Sequence, residues 1–237
     1  MSSAVSTPSV PVPKRQAVPP LANGDRLSRG EFERRYRAMP PSTRAELIEG
    51  TVYLIPSPVR YQSHSAPHGL LVGWITYYTS KTKGLSPLGD NGTVRLDNDN
   101  EPQPDIFLML PPKAGGLAKI DADDYVSGAP ALVCEVAASS TSIDLHSKKN
   151  AYRRNGVQEY LVWRTEDSII DWFSLLDGEF VLLKPEADGT LRSRVFPGLW
   201  LNPASVLTAD LPAMFALLER GTSASEHADF VKRLAAV

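Results

Sequence analysis

Residues 131–152 read ALVCEVAASSTSIDLHSKKNAY: an apolar run interrupted by Glu135, a short hydroxyl-rich turn, then Asp144, Lys148 and Tyr152 four apart. The apolar run predicts a buried strand, and the spacing that follows predicts a helix carrying those three side chains on one stripe. Gly156 ends that helix, read over 143–155. A carboxylate at the end of a buried strand is costly unless something offsets its desolvation, and a bound cation is one such partner. The fold and the function both turn on which residues meet Glu135.

Working outward, EPQPDIFLML at 101–110 is a second strand, entered rigidly because Pro104 holds Gln103 extended. Period-two geometry puts Asp105, Phe107 and Met109 on one face, and Val133 and Glu135 together in the 131–136 strand. If these strands are neighbours, Asp105 and Glu135 meet at one edge of the sheet. Hard cations such as Mg²⁺ take carboxylates together with water and phosphate oxygens. The competing reading gives Asp105 a loop-capping role and Glu135 an arginine partner. Lys148 is likewise either the ordinary helical partner of Asp144 or a cation acting on phosphoryl charge. Glu46, just before an apolar pair, is a candidate third carboxylate. His68, beside Pro67 at a helix start, is placed to meet an anion or carry a proton, and His64 competes with it for that role.

The remaining pattern supplies strands and helices around this centre. AELIEG and TVYLIP form a hairpin turned at Gly50. Ser28 and Glu31 have capping-box spacing ahead of a short helix ending near Pro40, and Pro67 opens a helix through about Ser80 with Leu71, Ile75 and Tyr78 inward. VRL, EYLVW, IIDWFSL, EFVLL and LRSRVF are further strands. Asp210 caps a helix ending before Gly221, and HADFVKRLAAV makes a small terminal helix. Residues 1–24, with five prolines and no continuous apolar run, read as a disordered arm; 25–220 as one domain; 221–237 as a short helical tail.

The 237 residues, 42% hydrophobic and 22% charged, suit one globular domain with a substantial core. A net charge of −2 gives no global positive field for nucleic acid, so any such binding must be local. The lone Cys134 cannot form an internal disulfide and reads as a small buried residue; it and the lack of a signal-like segment point to the cytoplasm. Charge is uneven: 1–45 carry eight basic and three acidic side chains, 97–124 carry two and seven. An acidic pocket bordered by basic helices suits metal-assisted chemistry on an anionic polymer, and patchy surface charge explains the same counts equally well.

ELIEG, the helix with His68, EPQPD, CEVAASST, DLHSK and AYRRNGVQEYLVW, in that order over roughly residues 28–215, together resemble the Uma-type family of bacterial restriction endonucleases, within the PD-(D/E)xK superfamily. The resemblance implies an α/β domain with a central mixed β-sheet flanked by helices, restriction-endonuclease-like in fold, and a Mg²⁺-dependent phosphodiesterase centre with Mn²⁺ as substitute. It makes Asp105 the first acid, Glu135 the second, and Glu46 the acid from the N-terminal side; the Val136 carbonyl joins them on the metal. Ala137 stands where the simplest superfamily pattern has lysine, and the resemblance assigns that lysine to Lys148. The implied function is cleavage of double-stranded DNA, by a homodimer if two strands are to be cut. Its rivals are a catalytically silent nuclease-fold module binding DNA or protein, and a hydrolase of another phosphoester.

Overall fold

Alternating side chains sort the two central strands onto opposite faces of one sheet, and the register makes the sorting visible. The computed structural model describes residues 17–55, 59–138 and 140–236. Helix α1 (Arg29–Tyr36) leads into the hairpin β1 (Ala45–Ile48) and β2 (Thr51–Leu54), and α2 (Ala66–Lys81) follows a five-residue π-turn over Tyr61–Ser65. Strands β3 (Gly89–Asp90), β4 (Val94–Arg95), β5 (Ile106–Leu108), β6 (Lys119–Ile120), β7 (Val126–Ser127) and β8 (Leu132–Ala137) come next. The 141–155 helix is built of α3 (Thr141–Ile143), a π-turn over Asp144–Lys148, and α4 (Lys149–Asn155). Strands β9 (Glu159–Arg164), β10 (Ile169–Leu176), β11 (Glu179–Leu182), β12 (Leu191–Arg192) and β13 (Trp200–Leu201) precede α5 (Pro203–Leu207), α6 (Leu211–Thr222) and α7 (Ser225–Ala235).

The main sheet has the order β11-β10-β9-β8-β5-β3. Its β8–β9 pair is parallel and its other pairs antiparallel, so the sheet is mixed. In β5 and β8, Ile106 faces Cys134, Phe107 faces Val133 and Leu108 faces Leu132. Ile106, Leu108, Leu132, Cys134 and Val136 point to one side, into a core with Leu71, Trp74, Ile75 and Tyr78 of α2. Phe107 and Val133 point to the other, against Tyr152 and Tyr160. The period-two reading of these strands therefore holds, and Cys134 is a buried core residue. Trp74 and Trp172 meet edge to face at 5.6 Å across the first core, an arrangement aromatic rings favour.

The hairpin turns on Glu49 and Gly50, both with positive φ as its two-residue loop requires. Its own small core holds Leu21, Phe32, Ala45, Leu47 and Val52. Of the arm read over 1–24, residues 1–16 lie outside the described part; further on, Leu21 is buried in this cluster and the Gly24 N–H donates to the Val52 carbonyl. The capping box at Ser28 does not form: Ser28 makes no side-chain cap, and Glu31 instead accepts from Arg34 and Arg35. A bidentate arginine competes successfully with a backbone N–H for a carboxylate. At α6, Asp210 does cap, accepting from the Ala213 N–H, but the helix runs past Gly221 to Thr222. Gly221 is buried against the Gly198 carbonyl, where an added Cβ would lie 2.3 Å away, so this glycine serves close packing and not termination. No helix among the described residues is long and apolar enough to cross a membrane.

One buried acid was not singled out in the sequence. Glu159, at the start of β9, accepts from the Ser193 hydroxyl and from the Arg194 and Val195 N–H groups, tying down the 193–196 turn without a cation. Burial pushes its pKa up to about 7 against those hydrogen bonds. The folded state then holds this proton more tightly than the unfolded chain does. Its contribution is complete below the unfolded pKa near 4.5 and is lost as pH rises through about 7. The stability advantage of wild type over Glu159→Gln should accordingly shrink between pH 5 and pH 8, by up to about 3 kcal/mol. Urea unfolding of both proteins at the two pH values reads this directly; a difference that does not change with pH contradicts it.

Candidate active site

The antiparallel register places Asp105, just before β5, opposite Glu135 in β8. Their groups interlock: the Val136 N–H donates to Asp105 Oδ2 at 2.7 Å, and the Asp105 N–H lies 3.5 Å from Glu135 Oε2. Both carboxylates thus stand at one edge of the sheet, on the face covered by the 141–155 helix. They line a pocket of about 670 Å³ together with Glu46, Lys148, Asp144 and His64.

Lys148 reaches into the pocket from the π-turn and is only 7% exposed. Its Nζ lies 2.9 Å from Glu46 Oε1, 3.1 Å from Glu135 Oε1 and 3.6 Å from Asp144 Oδ1. Burial opposes the ammonium charge, but Glu135, Glu46 and Asp144 together outweigh it and hold the Lys148 pKa well above the ordinary lysine value. Burial pushes Glu135 well up, and raises Glu46 and Asp144 as well, against the pull of Lys148. Tyr152, one turn further, donates its hydroxyl to the same Glu135 oxygen at 2.9 Å. The Asp144–Lys148–Tyr152 stripe therefore faces Glu135 as a unit, through a π-turn the sequence spacing did not disclose.

Glu46 comes from the hairpin, held by the Gln103 N–H on Oε1 at 2.7 Å. Its carboxylate meets Lys148 at 2.9 Å and lines the same pocket as Asp105 and Glu135. Among the described residues, no three His, Cys, Asp or Glu side chains are grouped to hold a metal ion. Glu46 thus takes part in an ion pair, with the lysine 2.9 Å from the hairpin acid and 3.1 Å from the strand acid.

The two histidines separate in the structure. His64 Nδ1 lies 3.2 Å from the Val136 carbonyl and its Nε2 3.5 Å from Asp105 Oδ1. His68 Nε2 instead lies 3.3 Å from the Asp105 backbone carbonyl and 3.1 Å from Asp90 Oδ1. The rings stack, with centroids 5.8 Å apart. His64 is thus the one on the Asp105 side chain and in the pocket lining, while His68 braces the backbone beneath it. Four-residue spacing on a helical stretch was the available signal for the pair; which ring faces the acid depends on the π-turn at 61–65.

This order of elements and this arrangement of acids have relatives. A model of the Uma2 family, described as "Putative restriction endonuclease", matches residues 30–204. The chain belongs to the Uma2 family. The fold has a solved counterpart in a putative nuclease belonging to DUF820 from Anabaena variabilis, whose crystal structure matches with a TM-score of 0.54 at 14% identity. The match covers 74% of this chain and 96% of that one. At that identity the likeness concerns architecture alone, and it identifies the mixed sheet with flanking helices as restriction-endonuclease-like. No curated protein matches the chain. Membership of Uma2 therefore gives this domain a PD-(D/E)xK-like nuclease fold.

Proposed function

We propose that this Uma2 chain hydrolyses DNA phosphodiester bonds with a divalent ion, Mg²⁺ or Mn²⁺, at the Asp105–Glu135 edge. The observation that carries the reading is the facing pair of carboxylates in one pocket with a buried ammonium beside them. The donor set fits the ion. Asp105, Glu135 and the Val136 carbonyl are hard oxygen ligands, and Mg²⁺ is commonly held by only one or two carboxylates, with water and substrate phosphate completing its octahedron. A three-acid cage is not required. When bound, such an ion polarises a phosphoryl oxygen and makes water a better nucleophile.

The chain's own residues do the rest. Tyr152 and Lys148 fix the Glu135 rotamer from one side, and the Val136 N–H fixes Asp105 from the other. An ammonium has three N–H donors. Glu46 and Glu135 take two at hydrogen-bond distance, while Asp144 at 3.6 Å is too far to hold the third firmly. That N–H is available to orient water or to meet charge growing on the phosphoryl group.

A second reading has its own observation: Lys148 is already paired with Glu46 and Glu135. A nuclease-fold module that binds DNA without cutting it would look the same. Calorimetric titration of Mn²⁺, with and without a short DNA duplex, separates the two. We expect binding that weakens at least tenfold in Asp105→Asn; no binding of Mn²⁺ or Mg²⁺ in either condition favours the silent module.

A further inference from the structure

Most arginines that anchor the fold are tied to carboxylates, as Arg35, Arg95 and Arg164 illustrate. Two at the mouth of the pocket are different. Arg44 and Arg60 are exposed, both line the pocket, and among the described residues neither is paired with an acid. Each side chain springs from a fixed backbone. The Arg44 carbonyl accepts from the Ile55 N–H, extending the hairpin by one pair. The Arg60 carbonyl accepts from the His64 and Ser65 N–H groups and opens the π-turn that carries His64.

The hairpin register explains why Arg44 looks the same way as the site. Glu46 lies opposite Tyr53, so Arg44 and Ile55 continue that cross-strand row, and period-two geometry keeps Arg44 and Glu46 on one face. Glu46 turns inward to Lys148, and Arg44 stands two residues nearer the rim. Arg60 reaches the rim from the segment before α2. An acidic floor with two unpaired guanidinium groups at its lip suits a polyanion whose central phosphate descends while its neighbours stay at the surface. Glu166 is the exposed acid on the same lining, and neither arginine pairs with it.

We infer that Arg44 and Arg60 form a clamp for the phosphates flanking the bond presented to Asp105 and Glu135, and that the clamp takes a single, unpaired nucleic-acid strand. The size of the pocket sets the second part. About 670 Å³ lies within the range of sites that take one small molecule, roughly 300–1,000 Å³. That admits a nucleotide-sized length of one strand, whose unpaired backbone can bend a phosphate down to buried carboxylates, whereas base pairing holds the phosphates of a duplex on a regular helix. The inference rests on the pocket being where a phosphodiester binds, but it does not require that the bond be cut.

The test is fluorescence anisotropy of a short labelled single-stranded oligodeoxynucleotide over a salt series, in EDTA, so that neither metal nor hydrolysis enters. Wild type, Arg44→Gln, Arg60→Gln and, as control, Arg220→Gln on an exposed face of α6 are compared, with thermal melts showing each folded. Each rim variant should bind several-fold more weakly and lower the slope of log K against log salt by about 0.7, the loss of one single-strand phosphate contact. Arg220→Gln should match wild type. Rim variants with wild-type affinity and slope, or a wild type that does not bind the strand, would overturn the clamp. A duplex of the same sequence binding more tightly than the strand would overturn its single-strand assignment. Turnover by the same proteins, measured separately with Mg²⁺, keeps the two questions apart. Arginine-dependent binding without turnover in wild type leaves the clamp standing and removes hydrolysis; turnover without arginine dependence does the reverse.

Discussion

Lys148→Met should destabilise the protein by about 3–5 kcal/mol at pH 7, because it leaves buried carboxylates without their cation. For a chain of this size that is roughly a 10 °C fall in melting temperature. Sequence spacing reads Lys148 either as the partner of Asp144, worth a few tenths of a kcal/mol, or as a cation acting on phosphoryl charge, and both readings predict folding nearly unchanged by the substitution. The structure reverses that order: Asp144 is the most distant of the three acids at 3.6 Å, and the lysine is 7% exposed. Without the ammonium, the largest opposition to the upward push of burial on Glu46, Glu135 and Asp144 is gone. Their folded pKa values then stand further above the unfolded ones, so the variant should regain stability as pH is lowered toward 5. Lys149→Met is the matched control. Lys149 Nζ sits 3.5 Å from the centroid of the Phe173 ring, a cation–π contact worth roughly 0.5–1 kcal/mol, and touches none of the acids. Equal losses at the two positions, measured by urea unfolding, contradict the account of the cluster.

Asp105→Asn should have the opposite profile, with little effect on stability and a large one on rate. The amide oxygen of asparagine can still accept from the Val136 N–H, so the bond joining the strand ends survives and the stability change stays within about 1 kcal/mol. What is lost is the negative charge facing Glu135. Charge stabilisation by a bound metal is worth several kcal/mol in the transition state, and its loss corresponds to a fall of roughly 10²–10³ in turnover. A variant that melts well below wild type would mean that the carboxylate is chiefly structural.

The parts of this site that lie on regular strands were legible in the sequence. Alternation in ALVCEV and PDIFLML put Val133 with Glu135 and Phe107 with Asp105, and pairing of the two strands did the rest. Glu46 was visible as an acid but not as the partner of Lys148. Its place depends on the segment after β4, where Leu47 bridges to Glu101 and the Gln103 N–H holds the carboxylate, contacts between residues more than fifty apart. The π-turns at 61–65 and 144–148 shift side chains around the axis relative to an α-helix, which is why spacing could not choose between His64 and His68. Glu159 carried the same signal as Glu135, an acid bordering an apolar run, and differs because its partners are hydroxyl and backbone donors from a distant turn. The two rim arginines had no sequence signal; only the pocket they share distinguishes them.

In the proposed function Asp105 and Glu135 hold a divalent ion that assists hydrolysis of DNA. Single-turnover cleavage of labelled single- and double-stranded DNA, by wild type and Asp105→Asn with EDTA, Mg²⁺ or Mn²⁺, tests it most directly. The account predicts product with wild type only when a metal is present, and at least a hundredfold less with Asp105→Asn. Binding of DNA without product in any metal condition, or product that survives Asp105→Asn or EDTA, would contradict it.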